Sequence, residues 1–567
     1  MKQCPQCHKT YTDETLNFCL DDGEWLVAGD EPATAILRDT DSSREARTRA
    51  QIHTTDRTAV LSDSSKDTSH ETRGVDKMLI AVAVALVVIG VGGFFGYRNF
   101  FSPSSGQINS IAVLPFENRS GSSDTDYLSD GIADSLIYRL TQLPNLKVSP
   151  TSSVMRYKGK EADVVQIARE LTVDAVLSGR LVQMGDDLNI SVQLIDARTS
   201  KLIWAEQYER KMSDLLTTQR EIAIAIADKL QLKLVGDQAR GITKKYTNSN
   251  EAYQLYMKAR YHAAKRTKPS MLQGVEYYRQ AIALDPSFAL AYARIAEVYL
   301  NMPAYPYMSP SEAIPEGKKA AEKALELDPD LSEAHTYMGF YLVVCAWSWT
   351  EAEREFSRAI ELDPNSADAH LRYGQIYLGP TGRYEEAIKE FRRVLELEPL
   401  NINAGNNFAG IYTYAGQNEL AVEQARKTYD LEPGYPLASY YLGLAYDAAG
   451  KYSEAIALSE KVLQEDPTNQ KMLRIVGYAY AMSGRRVDAE RIIKKFTEIG
   501  RRDYVGSYWV ANIYAALGDN DKAFAELEKA YVNRDWELHR LKADALMAPL
   551  RNDPRYAAML RRLKLSE

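Results

Sequence analysis

From about Asn250 onward the chain repeats itself. Prolines in the settings L-D-P, L-E-P or E-D-P fall at 286, 329, 364, 399, 433 and 467, in steps of 43, 35, 35, 34 and 34 residues. Inside the period the same residue types return. Leu442-Gly443, Tyr446, Gly450 and Ala455 recur as Val476-Gly477, Tyr480, Gly484 and Ala489, and again as Tyr514, Gly518 and Ala523. A unit of this length cannot bury its apolar face alone and has to stack on its neighbours, so the period constrains the fold more than any other feature. The small residues let two helices approach closely, the tyrosine fills the gap between them, and proline ends the second helix. Much of the surplus of 36 Tyr over 13 Phe and 6 Trp belongs to this packing. The 43-residue step predicts an inserted loop, Asn301 to Pro315.

These residues resemble tetratricopeptide repeats, about eight of them over residues 250–540, followed by a capping tail over 541–567 that contains M-A-P-L-R-N-D-P-R-Y. The resemblance implies an all-α superhelix whose first helices line a concave groove. Transferring the repeat geometry places Thr336, Gln375, Asn403, Asn406, Tyr440, Arg474, Tyr478, Tyr508 and Asn512 on that groove. Amides that bond a peptide backbone, beside tyrosines that cover its side chains, suit an extended protein segment, so proteins or peptides are the expected partners.

The amino terminus carries a different signal. Three of the four cysteines, Cys4, Cys7 and Cys19, lie in the first twenty residues, in the phrases Cys4-Pro5-Gln6-Cys7 and Phe18-Cys19-Leu20-Asp21-Asp22-Gly23. Two short knuckles of this spacing place four donors around Zn2+, with Asp22 supplying the fourth in place of a cysteine and His8 as the alternative. So short a segment buries too little apolar surface to fold alone, so the metal would supply most of its folding free energy. The pattern resembles the zinc-ribbon knuckles at the amino terminus of many bacterial regulatory proteins, which predicts a structural ribbon over residues 1–27.

Residues 28–77 contain no Phe, Trp or Tyr and many Ser, Thr, Asp and Arg, and are read as a disordered linker. Residues 78–97, MLIAVAVALVVIGVGGFFGY, are twenty residues without a charge, the length expected of a transmembrane helix. Lys66, Arg73 and Lys77 precede the stretch and only Arg98 follows closely. The positive-inside rule then predicts a single-pass protein of the inner membrane, amino terminus cytoplasmic and carboxy-terminal domains extracytoplasmic.

Between this stretch and the repeats, residues 107–236 read as an α/β domain. Ser110 to Phe116 and Lys147 to Ser149 are predicted strands, Leu128 to Leu143 and Val164 to Leu171 helices. Val173 to Leu181, Leu188 to Ile195 and Leu202 to Tyr208 form a predicted strand meander before a closing helix, Leu215 to Leu234. Ile190, Val192 and Leu194 alternate with Ser191 and Gln193, which gives the sheet one buried and one polar face. The phrases S-I-A-V-L-P-F-E-N-R-S-G, Y-L-S-D-G-I-A-D-S-L and V-Q-L-I-D-A-R-T-S-K-L-I-W-A-E-Q-Y resemble the domain related to the amino-terminal part of TolB and to FlgO. In bacterial signalling proteins that domain commonly sits just before tetratricopeptide repeats, and no catalytic residue travels with it.

Charge and motifs narrow the function further. A formal net charge of −8, from 69 basic and 77 acidic residues, has the wrong sign for coating nucleic acid. Gly131 and Gly179 are isolated, and no P-loop, dinucleotide fingerprint, nucleophile elbow or H-E-x-x-H pattern occurs. The expectation is a non-catalytic membrane scaffold or signalling protein. An envelope-assembly adaptor is the alternative, and an enzyme in the middle domain a third reading.

Overall fold

The computed structural model of the chain describes residues 2–3, 10–11, 27–28, 108–121, 125–143, 146–160, 163–232, 245–435 and 437–565. The expected zinc ligands Cys4, Cys7, Cys19 and Asp22, nearly all of the linker and the apolar stretch 78–97 lie outside them. Two compact units are present, Met1–Ser102 and Pro103–Glu567. In the first, β1 (Lys2–Gln3) pairs antiparallel with both β2 (Thr10–Tyr11) and β3 (Val27–Ala28).

The expected single-pass placement in the inner membrane is corrected here. Among the described residues no helix is long and apolar enough to cross a membrane. The topology built on residues 78–97, with extracytoplasmic carboxy-terminal domains, is therefore withdrawn.

The second unit opens with an α/β domain. Its strands are β4 (Ser110–Val113), β5 (Glu117–Asn118), β6 (Lys147–Ser149), β7 (Ala175–Met184), β8 (Asp187–Asp196) and β9 (Lys201–Lys211), in the order β6-β4-β7-β8-β9 with β5 paired to β7. Parallel neighbours need crossovers, and the helices Asp126–Thr141 and Val164–Leu171 carry the chain from β4 to β6 and from β6 to β7. The rest is an antiparallel meander that turns at Gly185, where φ is 61°. Leu188, Ile190, Val192 and Leu194 are buried while Asp187 and Gln193 are exposed, as period-two alternation requires. Gly179 has a packing reason, since a Cβ there would fall 1.6 Å from the Phe116 ring.

Eight successive helix pairs follow, from Asn250–Ala264 with Lys268–Leu284 to Ser507–Ala516 with Asn520–Val532. In five of them the turn between the helices is made by a glycine at positive φ, among them Gly450 at 70° and Gly484 at 76°. Arg266 and Trp347 take the same left-handed position in the first and third pairs, with φ of 52° and 51°, a conformation that costs a non-glycine residue about 1–2 kcal/mol.

The unequal repeat steps have a structural cause. Gly443 and Ala455 are twelve residues apart, whereas Gly339–Ala352 and Gly374–Ala387, both inside the 35-residue steps, are thirteen apart. The additional residue is absorbed in the first helix as a wider π-helical turn, Leu342–Ala346 in one repeat and Tyr373–Leu378 in the next. The 43-residue step is a shorter excursion than expected. The chain leaves its helix at Asn301, stacks Tyr305 on Tyr307 at 5.6 Å, and re-enters a helix at Pro310 behind a Ser309/Glu312 capping box. Proline at the first helical position lacks only an N–H that has no partner there anyway.

The α/β domain docks on the early repeats through its helix Asp126–Thr141. Arg260 Nη2 donates to Asp134 Oδ1 at 2.9 Å, Gln142 Nε2 to Asp363 Oδ2 at 3.2 Å, and Asn365 Nδ2 to the Thr141 carbonyl at 3.2 Å. Gly131 lies in the same interface. A Cβ on it would sit 2.5 Å from Met257 Sδ of the first repeat, so the absent side chain is what lets that helix approach.

Candidate partner-binding groove

The 34-residue step puts Asn406, Tyr440, Arg474 and Tyr508 at equivalent positions of four successive first helices, Ile402–Tyr414, Ala438–Ala448, Gln470–Met482 and Ser507–Ala516. Stacking the helix pairs turns that spacing into a row. Arg474 is its centre: Nε donates to Asn512 Oδ1 at 2.9 Å, and Nη1 donates to the Tyr440 hydroxyl. Its Nη2 reaches Asp544 Oδ2 at 3.1 Å, and Tyr508 Oη donates to the same oxygen at 2.9 Å.

Asp544 belongs to no repeat. The chain after Val532 turns back at Arg534, whose φ is 54°, and runs across the array's first helices. Its guanidinium lies 3.9 Å above the Trp347 ring of the third repeat. Asp535 then accepts the Tyr508 backbone N–H at 2.9 Å. A 3-10 turn, Trp536–Arg540, sets the Trp536 ring edge-on to Phe340 at 6.3 Å. Leu538, Leu541, Met547, Leu550 and Leu563 are fully buried, and the Leu563 carbonyl accepts from Trp349 Nε1 at 2.8 Å. The tail read from the sequence as a cover for the last repeat thus reaches the third repeat as well.

The groove candidates consequently lie beneath covering chain. Tyr440, Tyr478, Tyr508, Arg474, Asn406 and Asn512 are all buried. Thr336, also buried, bonds its own helix at the Ser332 carbonyl. Asn403 is half-buried and accepts from Asn407 Nδ2 at 3.1 Å, while both amide atoms of Asn406 are buried without a hydrogen bond. Tyr440 and Asn512 are held by Arg474, which meets Tyr508 on Asp544; Asn403, Asn406 and Tyr478 stand apart from that cluster.

Burial sets the electrostatics. The Tyr440 hydroxyl is pushed up to about 12 by loss of water, opposed by Arg474. The Asp535 carboxyl is likewise pushed up to about 6, against the hydroxyl of Tyr504 that bonds it. Loss of water lowers the Lys471 ammonium to about 8, against the attraction of Glu537. Burial also raises the thiol of Cys345, so it packs as a small apolar side chain rather than reacting. Among the described residues no group of three or more His, Cys, Asp or Glu side chains could hold a metal ion.

Sequence reasoning missed Asp544, Trp536, Arg540 and Lys471. For the first three the only signal was a tail with one tryptophan and several leucines, too apolar for solvent, which says that it is covered but not where; Lys471 lies in the repeat helix Gln470–Met482 and carried no signal of its own.

Comparison with known proteins divides the chain along the same lines. Residues 348–402 and 411–470, and 446–507, match tetratricopeptide repeat families, so the array is a set of such repeats. Residues 107–225 match the family described as HilA/YgeH-like transcriptional regulator, second domain. "Putative adenylate cyclase 3" of Rhizobium meliloti (strain 1021) is 31% identical over 192 residues, which is 34% of this chain and 33% of that protein. "Transcriptional regulator HilA" of Salmonella typhimurium is 23% identical over 238 residues, 41% of this chain and 40% of that protein. The chain thus spans between a third and two fifths of the curated relatives it matches. Among solved structures, the type IV pilus biogenesis factor PilW aligns over 39% of the chain and 96% of its own, at 18% identity and a TM-score of 0.31.

Proposed function

We propose that the chain is a non-catalytic scaffold or signalling adaptor that binds protein segments through its tetratricopeptide groove, with a zinc ribbon at its amino terminus as a second contact site. One observation carries the first half: the groove already holds a polypeptide, its own residues 533–565, through Arg474 and Tyr508 on Asp544. A partner segment with an acidic side chain would compete for the same two donors. The names of the relatives that share part of this chain, a transcriptional regulator and an adenylate cyclase, support a signalling setting. The motif resemblance of residues 107–236 to the TolB and FlgO domain, which brings no catalytic residue, supports the non-catalytic reading.

For the ribbon, β1 and β2 bracket Cys4 and Cys7 in the sequence, and β3 follows Cys19 and Asp22. Three thiolates and a carboxylate are a donor set that zinc accepts, and one that leaves no position open for a substrate, so the metal would hold the fold together.

The groove is tested with a labelled peptide of residues 533–552 added to the full chain carrying Asp544→Ala. Saturable binding to that variant, lost when Arg474→Met is added, is the expected result. Equal signal with and without Arg474→Met removes the reading.

A further inference from the structure

Two histidines on adjacent repeats are held in the same way. His335 Nδ1 lies 2.7 Å from Glu355 Oε2 and its Nε2 2.8 Å from the Pro329 carbonyl. His370 Nδ1 lies 2.5 Å from Glu390 Oε2 and its Nε2 3.1 Å from the Pro364 carbonyl. Histidine, glutamate and proline all recur after the same 35 residues, so the clamp is duplicated with its repeat. A carboxylate and a carbonyl only accept hydrogen bonds, and a neutral imidazole carries one N–H, so each ring fills both contacts only as the doubly protonated cation. The next three repeats do not keep the pair: the equivalent positions are Gly405 and Gln424, Ser439 and Leu458, and Leu473 and Ile492. The two clamps thus coincide with the repeats that receive the end of the α/β domain's helix Asp126–Thr141. Tyr138 Oη lies 3.5 Å from Glu333 Oε2, and the Gln142 and Thr141 contacts fall on Asp363 and Asn365, the two neighbours of Pro364.

We propose that His335 and His370 are a pH-responsive latch: as imidazolium ions they brace the Pro329 and Pro364 turns on which the α/β domain docks, and loss of their protons as pH rises loosens that docking. The surrounding charges act in the same direction. Around His335, helix Trp349–Leu362 brings Glu355 and Arg358, and Arg358 is itself bonded to Asp330 at 2.8 Å and to Glu361 at 3.4 Å. Burial lowers the His335 imidazolium, but Glu355 and the Pro329 carbonyl outweigh it and hold it above its ordinary range. Around His370, helix Tyr384–Leu397 brings Glu390 and also Arg393, which bonds Asn365 at 2.9 Å and Glu396 at 3.2 Å. Asp363, in the turn, is pushed up to about 6 by burial and by Glu333, against the charge of His370. Glu333 in turn is bonded to Arg294 at 3.3 Å, and helix Asp126–Thr141 meets these groups with neutral side chains, Tyr138 and Gln142 just beyond it. A raised histidine contributes stability that is present below its ordinary 6.5 and lost as pH rises through its folded value. A raised carboxyl such as Asp363 costs more as pH rises through about 6, so both favour docking on the acid side.

The test has two readings on the full chain. In the chain labelled with 15N-histidine, the ring nitrogens of His335 and His370, assigned through the single variants His335→Gln and His370→Gln, should both show the doubly protonated pattern at pH 6.0. Hydrogen exchange, corrected for the intrinsic rate, should then show protection of residues 126–143 and 361–367 falling about tenfold or more from pH 6.0 to 8.5 relative to residues 507–532 of the last repeat. In the His335→Gln, His370→Gln double variant that relative protection should no longer change with pH. A neutral ring at either position at pH 6.0, relative protection constant with pH in the wild-type chain, or the same pH dependence in the double variant overturns the proposal. If the double variant loses its cooperative melt, His370→Gln alone is read against the same criterion on residues 361–367. The latch lies at the docking surface and away from Asp544, so its outcome is separate from that of the peptide experiment.

Discussion

Arg474 and Asp544 face each other at 3.1 Å with side chains only 1% and 5% exposed, joining the seventh repeat to a segment seventy residues further along the chain. A buried pair of this kind contributes little net stability relative to an apolar pair, yet breaking it strands a charge. Asp544→Ala is therefore expected to destabilise the second unit by about 3–5 kcal/mol. Chemical denaturation measures the loss, and limited proteolysis should shift its first cuts to residues 533–550.

The partly buried ammonium of Lys471 gives a pH signature. Its folded value of about 8 is below the ordinary 10.5, with Glu537 attracting the cation and Arg540 and Arg474 repelling it. Between those two values the unfolded chain binds more protons than the folded one, so stability rises with pH across that window. Below about pH 8 the cost of keeping this partly desolvated cation is fully present. From about pH 7.5 to 9, below the range where tyrosines of the unfolded chain ionise, the stability of the wild-type chain relative to Lys471→Met should rise, read as the difference between their denaturant midpoints.

Gly450 adopts φ of 70° with open space around its α-carbon. Alanine there meets no neighbour, only backbone strain, and Gly450→Ala is expected to cost about 1 kcal/mol. A midpoint unchanged within error would mean that the turn relaxes.

For the amino terminus, a peptide of residues 1–27 should gain structure with one equivalent of zinc, read by circular dichroism and metal analysis. Cys19→Ser should abolish the gain, and Asp22→Asn should weaken it if that carboxylate is a ligand.

The secondary structure of the α/β domain was legible because its signals are local: alternation in Leu188–Leu194, helical spacing in Leu128–Leu140, a turn at Gly185-Asp186. The repeats were legible because their period fixes which residues stack, down to the unequal steps that became π-helical turns. The state of the groove was not. Asn406, Tyr440, Arg474 and Tyr508 follow from periodicity, but their burial depends on Trp536 and Asp544, which lie outside the period and meet them only through long-range closure. The docking of Gly131 on Met257 was equally invisible, since an isolated glycine in a helix does not say what approaches it.

The returning segment also changes what sort of mechanical object the array is. Repeats that touch only their neighbours behave as a coil spring, able to lengthen by small adjustments at every interface and to fray from either end. Here Arg534 on Trp347 and the Leu563 carbonyl on Trp349 strap the last coil to the third. Extension must first break that strap, so the array should resist pulling as a block until it yields in a single step.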